Sequence, residues 1–285
     1  MSKHVELTLH LSEETVTCAL DSALIEYVPT STANPITDYF SATSVLIKKI
    51  VNEKYPNDSE ILGLLVLGVV SCAEFYFRSV LSVLGAICPL CEVHSESVNI
   101  PLGSIRYYSK SGFPTAMATF EHSSLADMKA IANEIKRFAG FNCMDDSSVK
   151  RALQDFEILC EVRHCFVHTR GFVGLKAARA IGGKRALQKL LIQQTEALDL
   201  IKFSHNAVRA VNRYLANQIL TGWIDGDVLA GDWVSDRESF TRLWKLFAIP
   251  KEDEFAGSVR KAYAKVRQSV LKRRQAIAAK VRTTS

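Results

Sequence analysis

Apolar residues return every three or four positions along several long stretches of this chain, and that period admits helices and little else. The clearest run spans Lys184 to about Leu220, where Leu187, Leu190, Leu191, Leu198, Ile201, Val208, Val211 and Leu215 share one stripe. Ile36 to Tyr55 reads the same way, and Pro56-Asn57-Asp58 separates it from a longer helix over Ser59 to about Ile87. Ser124 is placed to cap a helix that Gly140 ends, and another starts near Ser147 or Ser148 and reaches His168, with Gly171 as its stop. Gly182-Gly183 breaks the chain before the long run. Beyond that run, Ser235 and Glu238 form a capping box for a helix to Phe247. Pro250 opens a final helix with Val259, Tyr263, Val266, Val270, Ile277 and Val281 along one side.

Two regions break the helical pattern. Val5, Leu7 and Leu9, then Val16, Cys18 and Leu20, alternate with period two around a polar turn, which suggests a small β hairpin. Residues 88–122 carry three of the seven prolines and no steady period, as an irregular insertion would. The expected fold is therefore mainly α. It has a hairpin and loop over 1–35, a helical bundle over 36–220 with the insertion at about 88–122, and a helical extension over 221–285 that ends in a basic amphipathic helix.

Composition narrows the setting. A chain of 285 residues with 48% hydrophobic and 23% charged residues can bury a substantial core. The opening MSKHVELTLHLSEETV does not read as a secretory signal. The most apolar stretch, Ile61 to Ala73, meets Glu74 and Arg78 before it reaches the length of a membrane span, so it is expected to be a buried helix. Seven scattered cysteines, an odd number, suit a reducing compartment in which thiols act as small hydrophobes. The expectation is a cytoplasmic protein with no membrane partner. The net charge of +5 is uneven: Phe255 to Ser285 hold nine Lys or Arg and no Asp or Glu, leaving −4 for everything before them. Such a tail either meets an anionic partner or docks its apolar stripe on another helix.

Two charges fall on stripes that otherwise face a core. One stripe reads Val149, Leu153, Phe156, Cys160, Arg163, Val167; the other reads Leu67, Val70, Glu74, Phe77, Leu81, Leu84. A lone charge costs several kcal/mol to bury, so pairing Arg163 with Glu74 is the economical arrangement, either as a structural ion pair or as support for a reactive site. His164 and His168 follow Arg163 within five positions, one helical turn apart. Such a local cluster of Arg and His supplies both a phosphate clamp and an acid or base.

The run Arg163-His164-Cys165-Phe166-Val167-His168 resembles the R-x4-6-H signature of the HEPN superfamily, in which the residue after the arginine is commonly polar, as His164 is here. The wider segment, Glu161 to Gly171, looks like that family's usual helix end, and Ser71-Cys72-Ala73-Glu74-Phe75-Tyr76-Phe77-Arg78 looks like part of its first long helix. The resemblance spans about residues 36 to 220. It implies a HEPN-type bundle that dimerises to bring two motifs to one groove. It also implies a metal-independent and cofactor-free endoribonuclease, with the 2′-hydroxyl of RNA attacking the adjacent phosphate. In that reading His168 is general acid or base, Arg163 holds the phosphate, His164 orients substrate or the neighbouring imidazole, and Glu74 supports Arg163. Arg78, Arg170, Lys272, Arg273 and Arg274 are the candidates to hold RNA. The family setting is that of a toxin or effector in bacterial defence, possessing a neutralising or sensor partner protein.

Two other readings stay open. The chain could be a catalytically silent HEPN-fold module for binding or dimerisation, or the partner of a nucleotidyltransferase. It could also hold zinc, through His164 and His168 at i and i+4 or through Cys88, Cys91 and His94, although neither set supplies a full complement of ligands.

Overall fold

A computed structural model of the chain describes residues 34–52, 58–96, 98–110, 114–121, 123–182, 188–249 and 258–284, with side chains to residue 276. The expected N-terminal hairpin lies outside the described residues, as do Pro250 and the side chains of Ile277 and Val281. Among the described residues the architecture is helical, in one compact unit. The elements are α1 (Pro35–Val51), α2 (Ser59–Ile87), α3 (Pro89–Ser95), α4 (Leu102–Tyr108), α5 (Met128–Ala139), α6 (Ser147–Thr169), α7 (Leu175–Ile181), α8 (Gln194–Asp225), α9 (Trp233–Phe247) and α10 (Val259–Thr284).

Helix α2 is the centre of the bundle and packs against α1, α5, α6, α8 and α9. The Asp58 carboxylate accepts from the backbone N–H groups of Glu60 and Ile61, satisfying two donors that a helix start leaves open. By length and composition α2 is long and apolar enough to cross a membrane. In this fold Leu62, Val66, Val70, Phe77, Leu81 and Leu84 are instead core residues. Polar pins fix neighbouring helices to one another. Tyr76 Oη donates to Asn212 Oδ1 at 3.0 Å, Asn212 Nδ2 donates to Phe247 O at 2.8 Å, and the Tyr39 and Ser204 hydroxyls lie 2.7 Å apart. Each buried polar group thereby keeps the partner it would otherwise lose with water.

Several boundaries differ from the sequence reading, each for a local reason. Helix α5 is capped by Asp127, whose carboxylate accepts from Ala130 N, and so begins after Ser124; Gly140 ends it in the left-handed conformation, φ 74°. The stretch 88–122 contains the short helices α3 and α4 and a 3-10 turn over Thr115–Phe120, all too brief to show a period. The long helix starts at Gln194, because Gln188 and Leu190 pair with the Gly171–Val173 segment: Val173 N donates to Gln188 O and Leu190 N to Gly171 O, each at 2.8 Å. For α9 the cap is Asp232, which accepts from Ser235 N at 3.0 Å.

Helix α10 docks on α8 and α9. The carboxylate of Asp236, buried on α9, accepts from Ala230 N, Gly231 N and the Tyr263 hydroxyl, while Arg267 Nε donates to Gly231 O at 2.9 Å. The basic helix therefore uses its apolar stripe, with Tyr263 and Val270 buried, to close the bundle.

Candidate functional site

The last two turns of α6 carry the candidate residues. Asp146 caps the helix start by accepting from Ser148 N and Val149 N at 2.9 Å. Its end is set by Arg170, left-handed at φ 51°, and Gly171 at φ 85°, with Gly171 N donating to Cys165 O at 2.9 Å. The core stripe holds through Val149, Leu153, Phe156 and Cys160 and then leaves the interior: Arg163 is half-buried and Val167 is 47% exposed. Burial passes instead to Leu159, Val162 and Cys165.

His164 and His168 are both exposed, with ring centroids 4.5 Å apart and planes tilted by 46°. The i, i+4 spacing produces this, since residues four apart sit on one helix face. Arg163 lies elsewhere on the helix surface. At 3.6 residues per turn it falls about 140° around the axis from His168. The structure thus brings the two imidazoles together, while Arg163 leaves the helix from a neighbouring face. Among the described residues Arg163 forms no hydrogen bond or ion pair.

Glu74 turns inward as expected, with 12% of its side chain exposed, but its partners are not on α6. Its Oε1 accepts from Leu125 N at 2.8 Å and Ser124 Oγ at 3.1 Å and lies 3.5 Å from Arg78 Nη2. The expected pairing of Glu74 with Arg163 is replaced by this local knot. The reason is reach: Arg78 is one turn away on the same helix, and the 123–125 segment crosses directly over the carboxylate.

The other proposed RNA contacts divide. Arg78 donates to Ser123 O at 2.6 Å, Arg273 Nε sits 3.0 Å from Asp225 Oδ1, and Arg274 Nη2 reaches Leu229 O at 3.5 Å, so these three take part in holding the fold. Arg170 and Lys272 are exposed.

A cleft of about 190 Å³ that no sequence pattern announces lies between the end of α6 and α7, lined by Glu161, His164, Cys165, Thr169 and Lys176 among others. Glu161 is buried at its base and forms an ion pair with Lys176, whose ammonium also lies 3.8 Å from Glu157. The Glu161 contact raises the Lys176 pKa above its ordinary value. The only hint in the sequence was Glu161 itself, a second charge on the buried side of α6. The Thr169 hydroxyl donates to Cys165 O at 2.8 Å and tightens the helix end below the imidazoles. Among the described residues no three His, Cys, Asp or Glu are placed to share a metal ion.

No protein-family model matches this chain, and neither the curated proteins nor the solved structures contain a match.

Proposed function

We propose that the chain is a metal-independent endoribonuclease of the HEPN kind. The observation that supports this most is the exposed His164–His168 pair at 4.5 Å, one residue beyond the half-buried Arg163 at a helix end. His168 serves as general acid or base in the transfer, in which a ribose 2′-hydroxyl loses its proton as its oxygen attacks phosphorus and the departing 5′-oxygen gains one; His164 orients the substrate or the neighbouring imidazole. The products are a 2′,3′-cyclic phosphate and a 5′-hydroxyl. A guanidinium bound to the non-bridging oxygens stabilises the charge that builds on them.

The offset of Arg163 from His168 around the helix favours a groove made by two copies, in which one copy's arginine meets the phosphate that the other's histidine serves. Exposed apolar side chains near this helix end, Val167, Phe172 and Leu175, offer surface for such a homodimer to cover. By analogy with the resembled family alone, the setting is cytoplasmic, that of a toxin or effector in bacterial defence. Incubating the purified protein with labelled RNA in EDTA, beside His168→Ala and Arg163→Ala, tests the proposal. Cleavage by the wild type and a loss of two orders of magnitude or more in each variant is expected. Intact RNA, or equal cleavage by all three proteins, contradicts it.

A further inference from the structure

A second chemically suggestive cluster lies away from α6, where α2 gives way to α3. Cys88 ends the first helix and caps the second in an extended conformation, with Pro89 at the first helical position fixing the turn. Cys91 closes that turn: its N–H donates to Cys88 O at 2.9 Å, which sets both cysteines on one turn of backbone. Trp223, fully buried near the end of α8, points its indole N–H at Cys88 Sγ from 3.4 Å.

These contacts make the two sulfurs unequal. The hydrogen bond from Cys91, against the opposing effect of burial and helped by Trp223 and the backbone, lowers the Cys88 thiol to about 6. The same hydrogen bond, with burial, pushes Cys91 far up. Of the two, Cys88 is the sulfur that ionises more readily and Cys91 the one that keeps its proton. A metal site is the poorer explanation, because among the described residues no third ligand joins them, and the His94 imidazole lies over Gly140.

We propose that Cys88 and Cys91 are a redox pair that hydrogen peroxide closes to a disulfide and a dithiol reopens. The Cys88 thiolate attacks one peroxide oxygen, the O–O bond breaks, and the hydroxide released takes up a proton to become water, leaving a sulfenic acid at Cys88. The Cys91 sulfur then attacks the Cys88 sulfur; the S–O bond breaks, and the departing oxygen takes the Cys91 proton to leave as a second water. Two thiols lose two electrons in total and one peroxide gains them. Only a small reagent suits the site, since Cys88 is 2% and Cys91 0% exposed. Cys143 and Cys160 are buried too, but burial raises both their thiols and leaves them poor nucleophiles.

The test treats the reduced full-length protein with equimolar hydrogen peroxide, alkylates it in denaturant, and maps every cysteine by mass spectrometry. The expected result is the loss of two hydrogen masses from the peptide carrying both residues, joint protection of the pair from alkylation, and full recovery with dithiothreitol. In Cys91→Ser, dimedone added together with denaturant after the peroxide treatment is expected to label Cys88 alone. Oxidation elsewhere with 88 and 91 still alkylated overturns the proposal. So does oxygen uptake at Cys88 with the Cys91 thiol intact in the wild type. The wild-type map decides the matter even if the variant fails to fold.

Discussion

Arg78 Nη2 stands 3.5 Å from Glu74 Oε1 across one turn of α2, and the same carboxylate oxygen accepts from Leu125 N at 2.8 Å. Glu74 thereby fixes the 123–125 segment to the central helix. Glu74→Ala strands the Leu125 amide and leaves the half-buried Arg78 guanidinium without its counter-charge, holding only Ser123 O, which is expected to lower unfolding free energy by about 1–3 kcal/mol. Glu74→Gln keeps an acceptor and should lose less. Urea denaturation measures both. RNA cleavage by the folded variants should match the wild type, because Glu74 has no contact with Arg163; a selective loss of cleavage would return Glu74 to the site.

Alkaline pH should unfold the protein through its buried tyrosines. Burial raises the Tyr39, Tyr76 and Tyr263 hydroxyls above their ordinary value, and the Asp236 carboxylate adds to the effect at Tyr263. The unfolded chain releases these protons near pH 10 while the folded chain retains them, so their stabilisation is complete below about pH 10 and is lost as pH rises further. Absorbance at 295 nm should show these phenols ionising only together with loss of helical circular dichroism. Ionisation at the ordinary value with the helix signal intact would contradict their burial.

Helix α6 is positioned against α2 by a missing side chain. A Cβ added at Gly63 would stand 2.5 Å from Phe166 Cε1, so Gly63→Ala forces that ring and the nearby helix end to move. A loss of about 1–3 kcal/mol is expected, together with weaker RNA cleavage, because His164 and His168 flank Phe166. Gly103→Ala, in open space on α4, serves as the control and should be neutral or gain up to about 1 kcal/mol from helix propensity. Comparable destabilisation by both changes would remove the steric explanation.

What could be read from the residues depended on length and locality. The bounds of α2 were visible because Asp58 caps a long apolar run, and the His164–His168 contact followed from spacing within one helix. The start of α8 is hidden because Leu190 and Leu191 extend the helical period into a segment whose backbone at 188–190 pairs with 171–173. Short α7 carries too few turns for any period to show, so neither Lys176 nor the cleft beside His164 has a signature in the sequence. The pairing of Glu74 with Arg163 was inferred from two inward stripes. Stripes give a facing direction but not a competitor, and Arg78 one turn away is the nearer partner.

The chemistry of the cut ends tests the ribonuclease proposal most directly. RNA cleaved by the wild-type protein in EDTA should yield fragments that end in a 2′,3′-cyclic phosphate and begin with a 5′-hydroxyl, resolved by mass spectrometry. The same oligonucleotide with a 2′-deoxyribose on the 5′ side of the cut should remain whole. Fragments carrying 5′-phosphate and 3′-hydroxyl ends, or cutting of the deoxy-substituted strand at the same bond, would contradict attack by the 2′-hydroxyl and with it the roles given to Arg163, His164 and His168.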